Sequence, residues 1–152
     1  MVTGGLSYRV GNTQLQYAAP VLPEVTVLDA EGKAYPRPWV ALVDTGSDRT
    51  IVPVEVPLRL DLIPTGYVSL SGFERPVAGA LYAEYELCFT VPGLCDSAEL
   101  AACAVGQKGH ILLGRDFINQ FVLTIDGPRA RWRIARGGGW LRRIVRALFG
   151  RA

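Results

Sequence analysis

Between Leu81 and Val91 the chain alternates Leu81, Ala83, Tyr85, Leu87, Phe89 and Val91 with Tyr82, Glu84, Glu86, Cys88 and Thr90. A period of two with one mostly apolar set predicts a β-strand that buries one face. Shorter segments of the same character predict strands over Leu6 to Val10, Gln14 to Ala18, Val25 to Asp29, Trp39 to Val43, Tyr67 to Leu70 and Ala98 to Val105. The 10 prolines and 17 glycines of the 152 residues are scattered between such segments. Short strands punctuated in this way predict a mainly β fold, a barrel or a sandwich. Helical spacing is confined to two places. A short helix from about Arg115 to Gln120 fits between the apolar runs Ile111 to Leu113 and Phe121 to Ile125. After Gly137, Gly138 and Gly139, the residues Trp140, Leu141, Ile144, Val145, Leu148 and Phe149 recur at helical spacing against Arg142, Arg143 and Arg146. That pattern predicts an amphipathic cationic helix behind a glycine hinge, dividing the chain into a body, 1–136, and an extension, 137–152.

Composition narrows the class. Apolar residues make up 49% of the chain and charged residues 20%, as in a globular protein. No apolar run is long enough to cross a bilayer, and the start lacks the layout of a signal peptide, so a cytoplasmic location is expected. The net charge of +2 is unevenly spread. Residues 129–152 hold eight arginines and no acid, which leaves eight basic and fourteen acidic residues in 1–128. A uniform basic face for nucleic acid is therefore not expected, whereas the extension alone can touch an anionic surface weakly.

Cys88, Cys95 and Cys103 are odd in number and show no C-x-x-C spacing, which predicts reduced, partly buried thiols and no metal site. The single histidine, His110, precedes the apolar run Ile111 to Leu113 and reads as a strand-entry residue. Nucleophilic systems built on Ser-His or Cys-His are correspondingly disfavoured.

The candidate chemistry lies at Asp44. Ala41-Leu42-Val43 supplies an apolar strand that ends in Asp44-Thr45-Gly46-Ser47. Gly46 admits close backbone approach, and the Thr45 and Ser47 hydroxyls can bond near the turn. A plain Asp-Thr-Gly turn would have the same properties. The longer segment Asp44-Thr45-Gly46-Ser47-Asp48-Arg49-Thr50-Ile51-Val52 resembles the active-site loop of retropepsins, the single-domain aspartic peptidases typified by retroviral proteases. Ile111-Leu112-Leu113-Gly114-Arg115-Asp116-Phe117-Ile118 resembles the second signature of that family, in the expected order and separation. The resemblance covers roughly residues 20–135. It implies a closed β-barrel with a flap hairpin and one short helix after Ile111-Leu112-Leu113-Gly114-Arg115. It also implies catalysis by Asp44, with Thr45, Gly46 and Ser47 supporting the loop and no cofactor.

Further roles follow from the same resemblance. Asp48 and Arg115 form either a structural pair or a substrate-binding pair. Asp116 reads as a surface or helix-start residue. Tyr67 to Ala80 occupies the place of the flap, with Ser71, Gly72 and Phe73 near its tip, although the glycine-rich run of the viral enzymes is missing. Aspartic peptidases use two facing carboxylates that share a proton, because like charges about 3 Å apart cannot both ionise. None of Asp29, Asp48, Asp61, Asp96, Asp116 and Asp126 begins a second Asp-Thr-Gly or Asp-Ser-Gly. A homodimer acting on polypeptides is thereby implied, each copy supplying one Asp44. The alternative is a dimer of the same fold with weak or no turnover, kept as a protein-binding module. Ala130 to Ala135 alternates arginine with apolar residues, which suits either a strand interleaved with the partner or an edge strand of the monomer's own sheet. The extension packs on the body, strengthens the dimer or lies weakly on an anionic membrane.

Overall fold

A computed structural model describes residues 1–5, 8–9, 16–17, 19–70, 81–104 and 109–137. The elements in chain order are β1 (Val2–Gly5), β2 (Tyr8–Arg9), β3 (Gln16–Tyr17), β4 (Val21–Leu28), β5 (Trp39–Val43), β6 (Ile51–Val52), α1 (Glu55–Leu60) and β7 (Gly66–Ser69). They continue with β8 (Leu81–Val91), β9 (Cys95–Ala104), β10 (Ile111–Leu113), α2 (Arg115–Ile118), β11 (Phe121–Asp126) and β12 (Arg131–Arg136). Strands dominate, as the alternation predicts. The amphipathic helix expected over 140–149 lies outside the described residues.

The main sheet runs β4-β5-β10-β6-β9-β8-β7 and is closed on itself by a further pairing of β4 with β8. Six strands thus form a continuous hydrogen-bonded ring from which β7 hangs on the outer side of β8. Closure removes the sheet edges that β4 and β8 would otherwise present. Two of the pairings, β5 with β10 and β6 with β9, are parallel, and the others are antiparallel. In β4 the register shifts between Leu22 and Val25, and Pro23, which has no N–H to donate, sits in that interruption. Because Val21 and Leu22 pair with Leu42 and Ala41 ahead of this interruption, β4 begins at Val21 and not at the Val25 start expected from its apolar run.

The long strand β8 has the expected limits but only half of the expected burial. Leu87, Phe89 and Val91 are buried, whereas Leu81 is 66% exposed. The N-terminal half leaves the ring and pairs with β7, from Gly66 opposite Glu84 to Ser69 opposite Leu81. A single alternating pattern therefore serves two environments. Helix α1 is a feature the sequence pattern did not suggest. It buries Val56, Pro57 and Leu60 and ends at Asp61, whose φ of 59° is left-handed. Six residues containing a proline give too little period to detect.

A second sheet runs β1-β12-β11. Trp132 and Ile134 of β12 are buried and join the barrel core, while Arg131 and Arg133 are exposed. The arginines face outward as expected, but β12 is the central strand of this sheet rather than an edge, because β1 covers its second side. No helix among the described residues is long and apolar enough to cross a membrane.

The core gathers Trp39, Phe89, Phe117, Leu22, Leu87, Ile111 and Leu113. Phe117 stands edge-on to Phe89, with ring centroids 6.5 Å apart, and tilts against Phe121 at 4.9 Å. Such contacts add to the area term of a buried aromatic. Burial pushes the Cys95 thiol up from its ordinary pKa, and the Val91 backbone and Arg136 oppose the shift. Phe117→Ala should cost about 3–5 kcal/mol, read as a fall in the midpoint of chemical denaturation; a loss below about 1 kcal/mol would contradict this packing. In native buffer at neutral pH, Cys95 should resist alkylation followed by mass spectrometry and react only after denaturation.

Candidate active site

Strand β5 drives Trp39, Ala41 and Val43 into the core, and this fixes where the next residue emerges. Its parallel neighbour β10 is in register, with Val43 opposite Leu113. The ladder continues one residue further, since the Asp44 N–H donates to the Leu113 carbonyl at 2.9 Å. Asp44 is therefore the first residue past the strand and is still tied to the barrel. The chain then turns. The Gly46 N–H donates to Asp44 Oδ1 at 2.9 Å, and the Ser47 N–H donates to the Asp44 carbonyl at 3.3 Å. A Cβ at residue 46 would stand 3.3 Å from Asp44 Oδ1, a tight contact that would push the carboxylate by a few tenths of an ångström. Asp44 is half-buried, and Thr45 and Gly46 are exposed. Among the described residues Asp44 Oδ2 accepts no hydrogen bond. One carboxylate oxygen is thus fixed by the backbone.

The two motifs recognised in the sequence form one structural unit. The Arg115 N–H donates to the Ser47 carbonyl at 2.8 Å, and the Asp116 N–H to the Asp48 carbonyl at 3.3 Å. Asp116 returns the contact with its side chain. Its Oδ2 accepts from the Thr50 N–H at 2.8 Å, and its Oδ1 accepts from the Thr50 hydroxyl at 2.7 Å and the Phe117 N–H at 2.8 Å. Thr50 is fully buried, and its hydroxyl also accepts from the Gly114 N–H at 3.1 Å. Gly114 is required here, because a Cβ on it would come within 2.4 Å of the Arg49 carbonyl carbon and oxygen. Ser47 completes the loop by donating its hydroxyl to the Arg49 carbonyl at 2.7 Å.

The arginine of the second motif meets Asp48 in an ion pair, as the sequence suggested. Both side chains are more than half exposed, so solvent screens this contact and its contribution to stability is small. The half-buried Asp116 is the stronger tie. It occupies the helix start that was expected of it, but it is not a surface residue. The sequence contained one clue, a hydroxyl residue directly before the apolar pair Ile51-Val52 and an acid beside Arg115, but nothing in the spacing shows that the two meet.

Next to the turn, Gly46, Ser47, Asp48 and Arg49 face Val68, Ser69 and Leu70 across a cavity of about 240 Å³. A larger opening of about 560 Å³ lies elsewhere, between β1, β11 and β12, and includes neither motif. This smaller cavity is the better candidate because Gly46 and Ser47 of the Asp44 turn line it. Ser71, Gly72 and Phe73 lie outside the described residues, and only the paired arms β7 and β8 that lead to them are described. Among the described residues no three His, Cys, Asp or Glu side chains gather as a metal site would need.

No family model matches the chain, and no curated protein matches it. Among solved structures it is similar to a retropepsin-like aspartic protease from Rickettsia conorii, at 15% identity and a TM-score of 0.46, over 76% of this chain and 92% of that one. It is also similar to a foamy viral protease-reverse transcriptase in complex with an RNA/DNA hybrid, at 18% identity and a TM-score of 0.45, over 69% of this chain. A form of the foamy viral protein in complex with double-stranded DNA gives 19% identity and a TM-score of 0.45 over 70%. The chain spans 13% and 17% of those two foamy viral chains. At these identities the likeness is distant and concerns fold alone.

Asp116→Ala, which strands the buried Thr50 N–H, should cost about 3 kcal/mol in urea denaturation, against less than about 1 kcal/mol for Asp48→Ala. Equal losses would show that the exposed pair, not the Asp116 contact, holds the loop.

Proposed function

We propose that the chain is an aspartic endopeptidase that acts as a homodimer, with one Asp44 from each copy. The observation that supports it most is the docking of the 44–48 turn onto the second motif, Asp44 bonding Leu113 while Ser47 and Asp48 accept from Arg115 and Asp116; it holds a half-buried carboxylate at a strand end with, among the described residues, one oxygen unbonded. Peptide hydrolysis without a metal needs a base to take a proton from water and an acid to polarise the scissile carbonyl. Two carboxylates sharing one proton supply both, and they titrate as a unit. One chain carries a single such turn, so a two-fold axis beside Asp44 is the economical source of the second. The exposed Thr45 would then face its symmetry mate and lock the two turns through its hydroxyl.

In this mechanism the ionised Asp44 accepts a proton from the bound water as the water attacks the carbonyl carbon. The protonated Asp44 of the other copy donates to the carbonyl oxygen. The first Asp44 then passes its proton to the leaving nitrogen as the C–N bond breaks, while the second takes back a proton from a hydroxyl of the gem-diol as the new carbonyl forms, and the pair returns to its starting state. The Gly46 N–H keeps one oxygen of each carboxylate oriented throughout, as a preorganised dipole does without reorganisation cost.

Purified protein incubated with a peptide library over a range of pH should cleave internal bonds. Asp44→Asn should reduce the rate by about 10²–10⁴-fold or more, the usual worth of a general acid–base group. Its circular dichroism and its dimeric mass by light scattering should be unchanged. An Asp44→Asn protein as active as the parent would end the peptidase reading, and a monomeric, active parent would end the shared-site reading.

A further inference from the structure

We infer that Arg49 makes the cavity beside the Asp44 turn a subsite for an acidic substrate side chain, an inference that rests on the peptidase reading and specifies its substrate class. The backbone of Arg49 is fixed on both sides. Its carbonyl accepts from the Ser47 hydroxyl, and the next residue, Thr50, is clamped by Asp116. Gly114 packs directly on the Arg49 backbone, where a methyl group would not fit. The guanidinium therefore starts from a rigid base.

Among the described residues its charge is only partly answered. Its ion pair, among the described residues, is with Glu84 on β8, whose Oε1 lies 3.4 Å from Arg49 Nη1. The Glu84 side chain is 15% exposed, and Oε1 is buried with no hydrogen-bond partner. The contact is thus a charge attraction without an aligned N–H···O bond. A guanidinium carries five N–H donors in a planar fork, and only one of its nitrogens approaches Glu84. Arg49 is 40% exposed and lines the cavity. Glu84 draws the side chain toward the β7–β8 arm, yet among the described residues it leaves guanidinium donors that a second carboxylate can take. Such forks bind carboxylates with two parallel bonds where geometry allows.

The remaining walls suit the rest of such a side chain. Asp48 also lines the cavity, but its charge is answered by Arg115, so it does not cancel Arg49. Ile51, Val68 and Leu70 form an apolar wall; Ile51 is buried, and Val68 and Leu70 pack against it. A glutamate fits this combination, with methylene groups against the apolar wall and a carboxylate at the guanidinium. A lysine would bring its ammonium to Arg49, and a glutamine would forgo the charge.

The test uses binding, so it does not depend on turnover. A positional-scanning library of octapeptides with Glu, Gln, Leu or Lys at each position is titrated against full-length Asp44→Asn protein. At one position Glu should bind about tenfold tighter than Gln, and the ratio should shrink with added salt. In the Asp44→Asn, Arg49→Gln protein the ratio should fall to about one, and in Asp44→Asn, Arg49→Glu the preference should pass to Lys. Denaturation midpoints confirm that each variant is folded, and if the charge reversal does not fold, Arg49→Gln decides. Absence of any Glu preference, or a preference that survives Arg49→Gln, overturns the inference. Glu preference in a parent protein that cleaves nothing overturns the peptidase reading and leaves the subsite standing; cleavage without Glu preference does the reverse.

Discussion

The carboxylate of Asp116 joins pieces of chain that are far apart in sequence. It accepts from the backbone and hydroxyl of Thr50 and from the N–H of Phe117, while Thr50 in turn accepts from Gly114. These are hydrogen bonds to an ionised acceptor in a half-buried place, where each is worth more than a neutral bond at the surface. The segment from Asp44 to Thr50 has no strand partner for most of its length, and this clamp supplies the missing constraint. With Thr50 held, β6 enters the barrel between β9 and β10, and the ring can close through β4 and β8. With Asp44 held by Leu113, the same short stretch of chain fixes both ends of the turn.

Much of this frame was legible beforehand. The period of two gave β8 its limits, the apolar run gave β5, and the two motifs announced that Asp44 and Arg115 belong to one unit. What escaped the sequence has physical reasons. Helix α1 is too short for a period to emerge, and β1 contains two glycines and only one large apolar residue, Val2, in a strand of four. The role of Asp116 depends on a contact across 66 residues that no local pattern encodes. The burial of β8 splits midway because its two halves have different neighbours, which is a property of topology rather than of propensity.

The barrel has a simple mechanical meaning for the proposed chemistry. A rigid ring places a carboxylate at the end of a strand, and the exposed turn beyond it remains open to a second molecule. Around that point charge is arranged in pairs of unequal strength. Arg115 answers Asp48 in solvent, whereas Arg49 meets a more buried Glu84 without a directed bond. The first pair braces the loop only lightly, and the second leaves a cation facing the cavity.

The sharing of one site between two chains is tested most directly by mixing. Parent and Asp44→Asn subunits are denatured together, refolded at a series of ratios and assayed at a fixed total concentration. If each site needs an Asp44 from both copies, mixed dimers are inactive and activity falls as the square of the parent fraction. Activity that falls in direct proportion to that fraction would mean that each chain works alone, and the composite site would be wrong.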